Sequence, residues 1–326
     1  LFIIIIIMTM PSLDHVPVLD LSSDNLRELI TTLDAALRQY GFLYIKNHGI
    51  DASLLEQQFQ VAADLFSLPR SVKEAMPFDG QLDIGYVGSG GQALDSLSEE
   101  TDSKEQFMMT NNRLITSKET NLEIDPDDVF AGSQNYDIPQ VSNHKSVTQK
   151  YMSAVYKLNM RLNELLFQAL NADEETRRLS HQPFGVLKQM KYAPAANNQI
   201  GAGAHTDWGS FTILATDETP GLEIYYQDKW LPVPPKDGCL IVNSGNQIAQ
   251  LTNNVYQSAL HRVVVQHHVR FSTAAFFYFS LHDEVAPLAK FVSDEHPAQY
   301  PYGRTSLQYF HYKLHESFGC KSYQEV

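Results

Sequence analysis

Cysteine is nearly absent from this chain: Cys239 and Cys320 are the only two among 326 residues. They belong to no CxxC pair and cannot build a disulfide framework, so a reducing, cytosolic setting fits them best. Positive charge is the second shortage. With 24 Lys and Arg against 38 Asp and Glu, the formal charge is −14, which opposes nucleic acid and anionic membrane as partners because both reward a basic face. Long apolar runs are the third. The opening "LFIIIIIM" falls far short of the roughly 20 residues that span a bilayer, and no Lys or Arg precedes it as a secretory segment requires. Residues 1–10 are therefore expected to be an extension outside the fold, with folding to begin near Pro11. Finally, no GK[ST] follows the Gly-rich "GYVGSGG" at 85–91, which removes a phosphate-binding loop and leaves a mobile one as the expectation.

What is present reads as helices first and strands later. A composition of 43% apolar and 19% charged residues gives a substantial core. Asp24 to Tyr40 carries apolar residues at Leu26, Ile30, Leu33 and Leu37 behind a Ser/Asp cap, predicting an amphipathic helix that stops at Gly41. "FLYIKN" follows as a strand. Asp51 to Leu68 is again helical in period, and the longest helical pattern runs from about Val147 to Leu170. Asp79 to Asn143 is rich in loop signals. After Phe184 come "FGVLKQMKY", "SFTILAT", "LEIYYQ", "KWLPVP", "CLIVNS", "SALHRVVVQ" and "RFSTAAFFYFS", short strands broken by turns, which predict an all-β barrel or sandwich. "SLQYFHYKLHESF" closes the chain as a helix.

Chemistry concentrates where polar, Gly-rich sequence turns apolar, at "HTDWGSFTIL". His205 and Asp207 stand at i and i+2, on one side of an extended segment, so both reach one object. His261, inside the apolar "SALHRVVV", supplies a third candidate ligand. Two imidazoles and one carboxylate on a single face leave other coordination positions open, an arrangement suited to non-haem Fe(II), although the same donors also bind zinc. Nine residues further on, Arg270 and Ser272 again stand at i and i+2, a guanidinium fork with a hydroxyl beside it, suited to gripping one planar carboxylate. The remaining histidines lack partners at ligand spacing. His48 is expected to hold a turn, His267 and His268 to be solvated, and the aromatic "FFYF" from Phe276 to be barrel core.

Taken in order, His205-Thr206-Asp207, His261 and Arg270-Phe271-Ser272 resemble the HxD…H…RxS pattern of the 2-oxoglutarate/Fe(II)-dependent oxygenases, in the branch similar to isopenicillin N synthase. "VPVLDLS", "GFLYIKNHGI", "SKEQF", "PGLEIYYQDKW" and "TNNVYQSALHRV" resemble that family's signatures in its order, so the resemblance runs from about Val16 to Phe279. It implies a mainly β fold with flanking helices: a double-stranded β-helix, or jelly roll, over residues 184–326, with an N-terminal helical region over 11–183 packed on it as one catalytic unit. It further implies Fe(II) on His205, Asp207 and His261, 2-oxoglutarate held through its distal carboxylate by Arg270 and Ser272, and O2 as oxidant. The partner is then a small-molecule substrate from which hydrogen is taken, for hydroxylation, desaturation or ring closure in specialised metabolism. A non-catalytic metal-binding relative, or a relative that does not consume 2-oxoglutarate, would share much of this pattern.

Two departures from the family stand out. Lys191-Tyr192-Ala193-Pro194 occupies the place where relatives commonly read Asn-Tyr-Tyr-Pro, so Ala193 is expected to replace a tyrosine that helps bind 2-oxoglutarate. Alternation puts Gln189, Lys191 and Ala193 on one strand face, which the family's pattern turns toward the pocket. Lys191 then either pairs with a neighbouring carboxylate at the rim or meets a carboxylate on an anionic, amino-acid-derived substrate. The second departure is Asn246 in "NSGNQI", where relatives carry Asp; its expected role is structural.

Overall fold

The computed structural model describes residues 16–95, 101–117, 122–195, 199–265, 267–300 and 304–318. The expected extension at 1–10, together with His15 and Cys320, lies outside them. The elements in chain order are β1 (Val18–Asp20), α1 (Leu26–Gln39), β2 (Phe42–Lys46), α2 (Ala52–Ser67), α3 (Arg70–Glu74), β3 (Gly85–Val87), β4 (Lys104–Thr110), α4 (Arg113–Thr116), α5 (His144–Ala169) and α6 (Glu174–Arg177). The second half adds β5 (Phe184–Tyr192), β6 (Gln199–His205), β7 (Phe211–Thr216), β8 (Leu222–Tyr226), β9 (Lys229–Pro232), β10 (Cys239–Ser244), α7 (Asn246–Leu251), β11 (His261–Val265), β12 (Arg270–Tyr278) and α8 (Ser306–Phe318). Among the described residues, no helix is long and apolar enough to cross a membrane.

The strands form two sheets. The larger runs β1-β2-β10-β7-β12-β5-β4-β3 and the smaller β6-β11-β8-β9. Strands from both halves of the chain share the larger sheet, so the N-terminal region completes the β architecture as well as covering it. The fold is a double-stranded β-helix, or jelly roll, flanked by helices.

Helices shield the outer face of the larger sheet because each has an apolar stripe at helical spacing. On α1 that stripe is Leu29, Leu33, Ala36 and Leu37, all buried. The capping side chain is Asn25, one residue inside the expected Ser/Asp cap, and it accepts from the Glu28 amide at 3.2 Å. The helix ends before Gly41, whose φ of +64 suits glycine, and a Cβ there would also meet the Gln257 carbonyl oxygen at 2.5 Å. The long α5 buries Tyr151, Val155, Leu158, Leu162 and Leu165, joining one core with α1, α2 and the outward side chains of β7 and β12. A second core, with Phe42, Tyr44, Met190, Tyr192 and Ile241 facing Ala202, Ile224 and Val263, fills the space between the sheets.

β5 is central to both cores. It pairs with β4 on one side and β12 on the other, and it is buried on both faces. Leu187 points outward into the helical layer, whereas Met190 and Tyr192 point between the sheets.

Candidate active site

The smaller sheet brings the two histidines together. His205 ends β6 and His261 begins β11, and the two are direct cross-strand partners. Their rings lie 4.3 Å apart, centre to centre. Each Nδ1 faces a backbone carbonyl two residues upstream, His205 that of Gly203 at 2.7 Å and His261 that of Ala259 at 3.0 Å. A carbonyl can only accept, so both Nδ1 atoms carry the proton and both Nε2 lone pairs are free to bind a metal. Asp207 Oδ1 stands 3.6 Å from each Nε2. The candidate ligand atoms of His205, Asp207 and His261 lie within 4.8 Å of one another, and the three residues could hold one metal ion.

Asp207 is oriented as firmly as the imidazoles. Its Oδ2 accepts from Thr212 Oγ1 at 2.5 Å and Asn243 Nδ2 at 2.6 Å, which leaves Oδ1 for the metal. Burial alone would raise its pKa; the two imidazoles and these two donors outweigh that and hold it below the usual carboxylate range. Burial, and then the neighbouring His261, pushes His205 down to about 4. The set is therefore an ionised carboxylate with neutral imidazole, which is what a divalent cation requires.

The loop after Asp207 is held by α7, an element that the sequence pattern does not announce. Amides at its start donate to that loop: Gly245 to the Ser210 carbonyl at 2.7 Å, Asn246 to that of Asp207 at 2.8 Å and Gln247 to that of Gly209 at 3.0 Å. Asn246 also donates from Nδ2 to Tyr309 on α8 and accepts from Ser258, so its role is the structural one expected. His48 likewise holds its turn, with Nδ1 accepting from the Ile50 amide.

The candidate metal ligands open into a cavity of about 790 Å3 of atom-free space, its open mouth included. Arg270 and Ser272 line its wall. Arg270 is 2% exposed; its Nη1 is 3.4 Å from Ser272 Oγ and its guanidinium lies 4.9 Å from the centre of the Tyr192 ring. Among the described residues no carboxylate pairs with it. A buried guanidinium without a counterion fits an incoming carboxylate.

The expected face of β5 is corrected. Lys188, Met190 and Tyr192 line the cavity; Gln189, Lys191 and Ala193 do not. Gln189 instead faces α5, its Oε1 3.0 Å from His144 Nε2, and Lys191 pairs with Glu105 at 3.4 Å. Ala193 lies past the strand end and is exposed. The physical reason is that a strand buried on both faces shows no polar side by which to choose the inward parity. The same slip hid Tyr192, whose ring packs against Arg270 and lines the cavity.

Other lining residues had been given no role in the site, although two of them, Lys104 and Gln106, lie within "SKEQF". Gln92, Lys104 and Gln106 enter from the loop-rich region, and Phe276 and Tyr278 show that one face of "FFYF" lines the cavity while Phe277 and Phe279 are core. Lys104 is neutralised by Asp102 at 2.6 Å, both being buried. Asp102 Oδ1 also accepts from the Gly203 amide at 2.9 Å, thereby steadying the residue whose carbonyl orients His205.

A jelly roll with two histidines, one aspartate and a buried unpaired arginine in one cavity defines a metal-dependent oxygenase layout. Comparison with known proteins gives the family. Residues 16–128 match the N-terminal region described as non-haem dioxygenase in morphine synthesis, and residues 181–279 match the 2OG-Fe(II) oxygenase superfamily. The 2-oxoglutarate-dependent dioxygenase citB of Monascus ruber is 30% identical over 307 residues, 86% of this chain and 87% of that protein. Flavanone 3-dioxygenase 2 of rice (Oryza sativa subsp. japonica) is 28% identical over 88% of this chain and 80% of its own. A 2OG-Fe(II) oxygenase family structure from Caulobacter crescentus superposes with a TM-score of 0.77 at 24% identity, covering 93% of this chain and 99% of that one. The chain belongs to the 2-oxoglutarate/Fe(II)-dependent dioxygenases, enzymes that use Fe(II), 2-oxoglutarate and O2.

Proposed function

We propose that His205, Asp207 and His261 hold Fe(II), that Arg270, Ser272 and Tyr192 receive 2-oxoglutarate, and that the rest of the cavity orients a small organic substrate for hydrogen abstraction. The observation that carries this reading is the shared cavity: three convergent ligand atoms within 4.8 Å of one another and a buried, unpaired guanidinium open into the same space. When bound, Fe(II) with 2-oxoglutarate and O2 supplies oxidation of an unreactive C–H bond, the co-substrate leaving as succinate and CO2.

The protein's own residues contribute orientation and exclusion of water. Gly203 and Ala259 carbonyls fix the imidazole tautomers, Thr212 and Asn243 fix the carboxylate, and Arg270 fixes the far end of the co-substrate. The apolar wall, including Phe42, Leu214, Leu222 and Val263, keeps the reacting centre dry. Hydroxylation, desaturation and oxidative ring closure share the first step, and the outcome depends on which C–H bond is held near the metal. A role in specialised metabolism is supported by the N-terminal match described from morphine synthesis and by the likeness to flavanone 3-dioxygenase 2.

The test is aerobic incubation of the Fe(II)-loaded protein with 2-oxoglutarate and candidate metabolites. The reading expects succinate in proportion to oxidised product. A product formed without succinate contradicts the co-substrate assignment.

A further inference from the structure

We propose that Lys188 anchors a carboxylate on the substrate, so that the enzyme acts on small organic acids with an apolar body. This rests on the reading of the cavity given above and adds the chemistry of its second ligand. Lys188 sits on β5, opposite Met108 on β4 and Ala274 on β12. It is 9% exposed, and that surface faces the cavity.

The cavity's three cationic side chains differ in how they are matched. Lys104 is paired to Asp102. Arg270 has the co-substrate's distal carboxylate to receive. Among the described residues Lys188 has no ion pair and no hydrogen-bond partner. Its Nζ is surrounded by aromatic rings, 5.3 Å from the centre of Phe276 and 5.9 Å from those of Trp208 and Phe318. Ring faces attract an ammonium without neutralising it. Burial lowers the pKa of Lys188; Asp83, the acidic group that opposes this most, forms no ion pair with it and has its own carboxyl pushed up by burial. An ammonium held in a dry, aromatic pocket with no counterion is costly unless the ligand brings one.

Lys188 and Arg270 serve opposite ends. Arg270 is the cross-strand partner of Tyr192, and Lys188 lies four residues back along β5, about 13 Å at the usual strand rise. Trp208, which approaches Lys188, directly follows Asp207 in sequence. A substrate whose carboxylate meets Lys188 therefore packs against Trp208 and Phe276, with its apolar part directed past Asp207.

The experiment uses full-length protein under anaerobic conditions, loaded with Fe(II) and saturating 2-oxoglutarate. Probes are matched pairs of aryl and alkyl carboxylic acids (phenylacetic, cinnamic, naphthoic, octanoic) and their primary amides, with binding read by calorimetry and by Trp fluorescence. At least one acid is expected to bind tenfold or more tightly than its amide, roughly the value of one charge-assisted hydrogen bond. Lys188→Met should remove that preference, Lys188→Arg should retain it, and the Met variant should keep its affinity for 2-oxoglutarate. The proposal is overturned if no acid is preferred over its amide, or if Lys188→Met leaves the preference intact. It is also overturned if Lys188→Met loses 2-oxoglutarate binding, since the lysine then serves the co-substrate. Failure of the wild-type protein to bind 2-oxoglutarate at all is a separate result, and contradicts the underlying reading instead.

Discussion

Replacing Arg270 by Leu should have opposite effects on co-substrate binding and on the stability of the free protein. The guanidinium is 2% exposed, with a hydroxyl at 3.4 Å and a ring face at 4.9 Å, and among the described residues no carboxylate partner. With 2-oxoglutarate bound, the variant loses a charge-assisted pair in a buried site, which costs about 2–4 kcal/mol, or roughly 30- to 1,000-fold in affinity. In the free protein it removes a desolvated charge that nothing offsets, so its melting temperature should be unchanged or higher. Thermal denaturation with Mn(II) in place of Fe(II) reads both effects. At 2-oxoglutarate one hundred times the wild-type Kd, the wild type should gain about 2.7 kcal/mol, and a variant weakened a hundredfold only about 0.4 kcal/mol. A variant that keeps the full ligand-induced shift, or one that melts well below the wild type when free, refutes the argument.

Further expectations follow from the same geometry. His205→Ala, Asp207→Ala and His261→Ala should each reduce turnover at least about a hundredfold, because two remaining ligands hold Fe(II) poorly; appreciable succinate formation in any two of them contradicts the ligand set. Asn243→Ala removes one of two donors to Asp207 Oδ2 and should weaken metal affinity about 10- to 100-fold by competition with a chelator, with the fold intact by circular dichroism. Gly209→Ala would put a Cβ 2.0 Å from the Phe277 carbonyl oxygen, so denaturant titration should show a loss of about 1–3 kcal/mol or more. Lys191→Met breaks a partly exposed pair with Glu105; stability should change by less than about 1 kcal/mol, and the KM for substrate should not move.

The candidate metal ligands and the candidate arginine clamp were legible because each is a short-range pattern of unlike residues: His205 and Asp207 two apart, Arg270 and Ser272 two apart, and His261 isolated in an apolar strand. The helices α1, α2 and α5 were legible by period. β4 was not, because "KEQFMMT" opens with charged residues whose burial depends on partners elsewhere, Asp102 for Lys104 and Lys73 for Glu105. α7 was hidden by its length and by a Gly start with no capping side chain. The parity of β5 was hidden for a different reason: alternation gives the period of a strand but not its phase, and phase is normally read from a wet face that β5 lacks. That slip in parity put Lys191 in the place of the cavity-lining Lys188 and concealed Tyr192.

The account stands most directly on whether one metal site and one co-substrate site meet in the same cavity. Anaerobic titration of the protein with Fe(II) and 2-oxoglutarate, followed by visible absorption, measures that meeting. A weak charge-transfer band should appear only when both are present, vanish in Asp207→Ala, and require much higher 2-oxoglutarate in Arg270→Leu. A protein that binds Zn(II) tightly but gives no band with Fe(II) and saturating 2-oxoglutarate contradicts it.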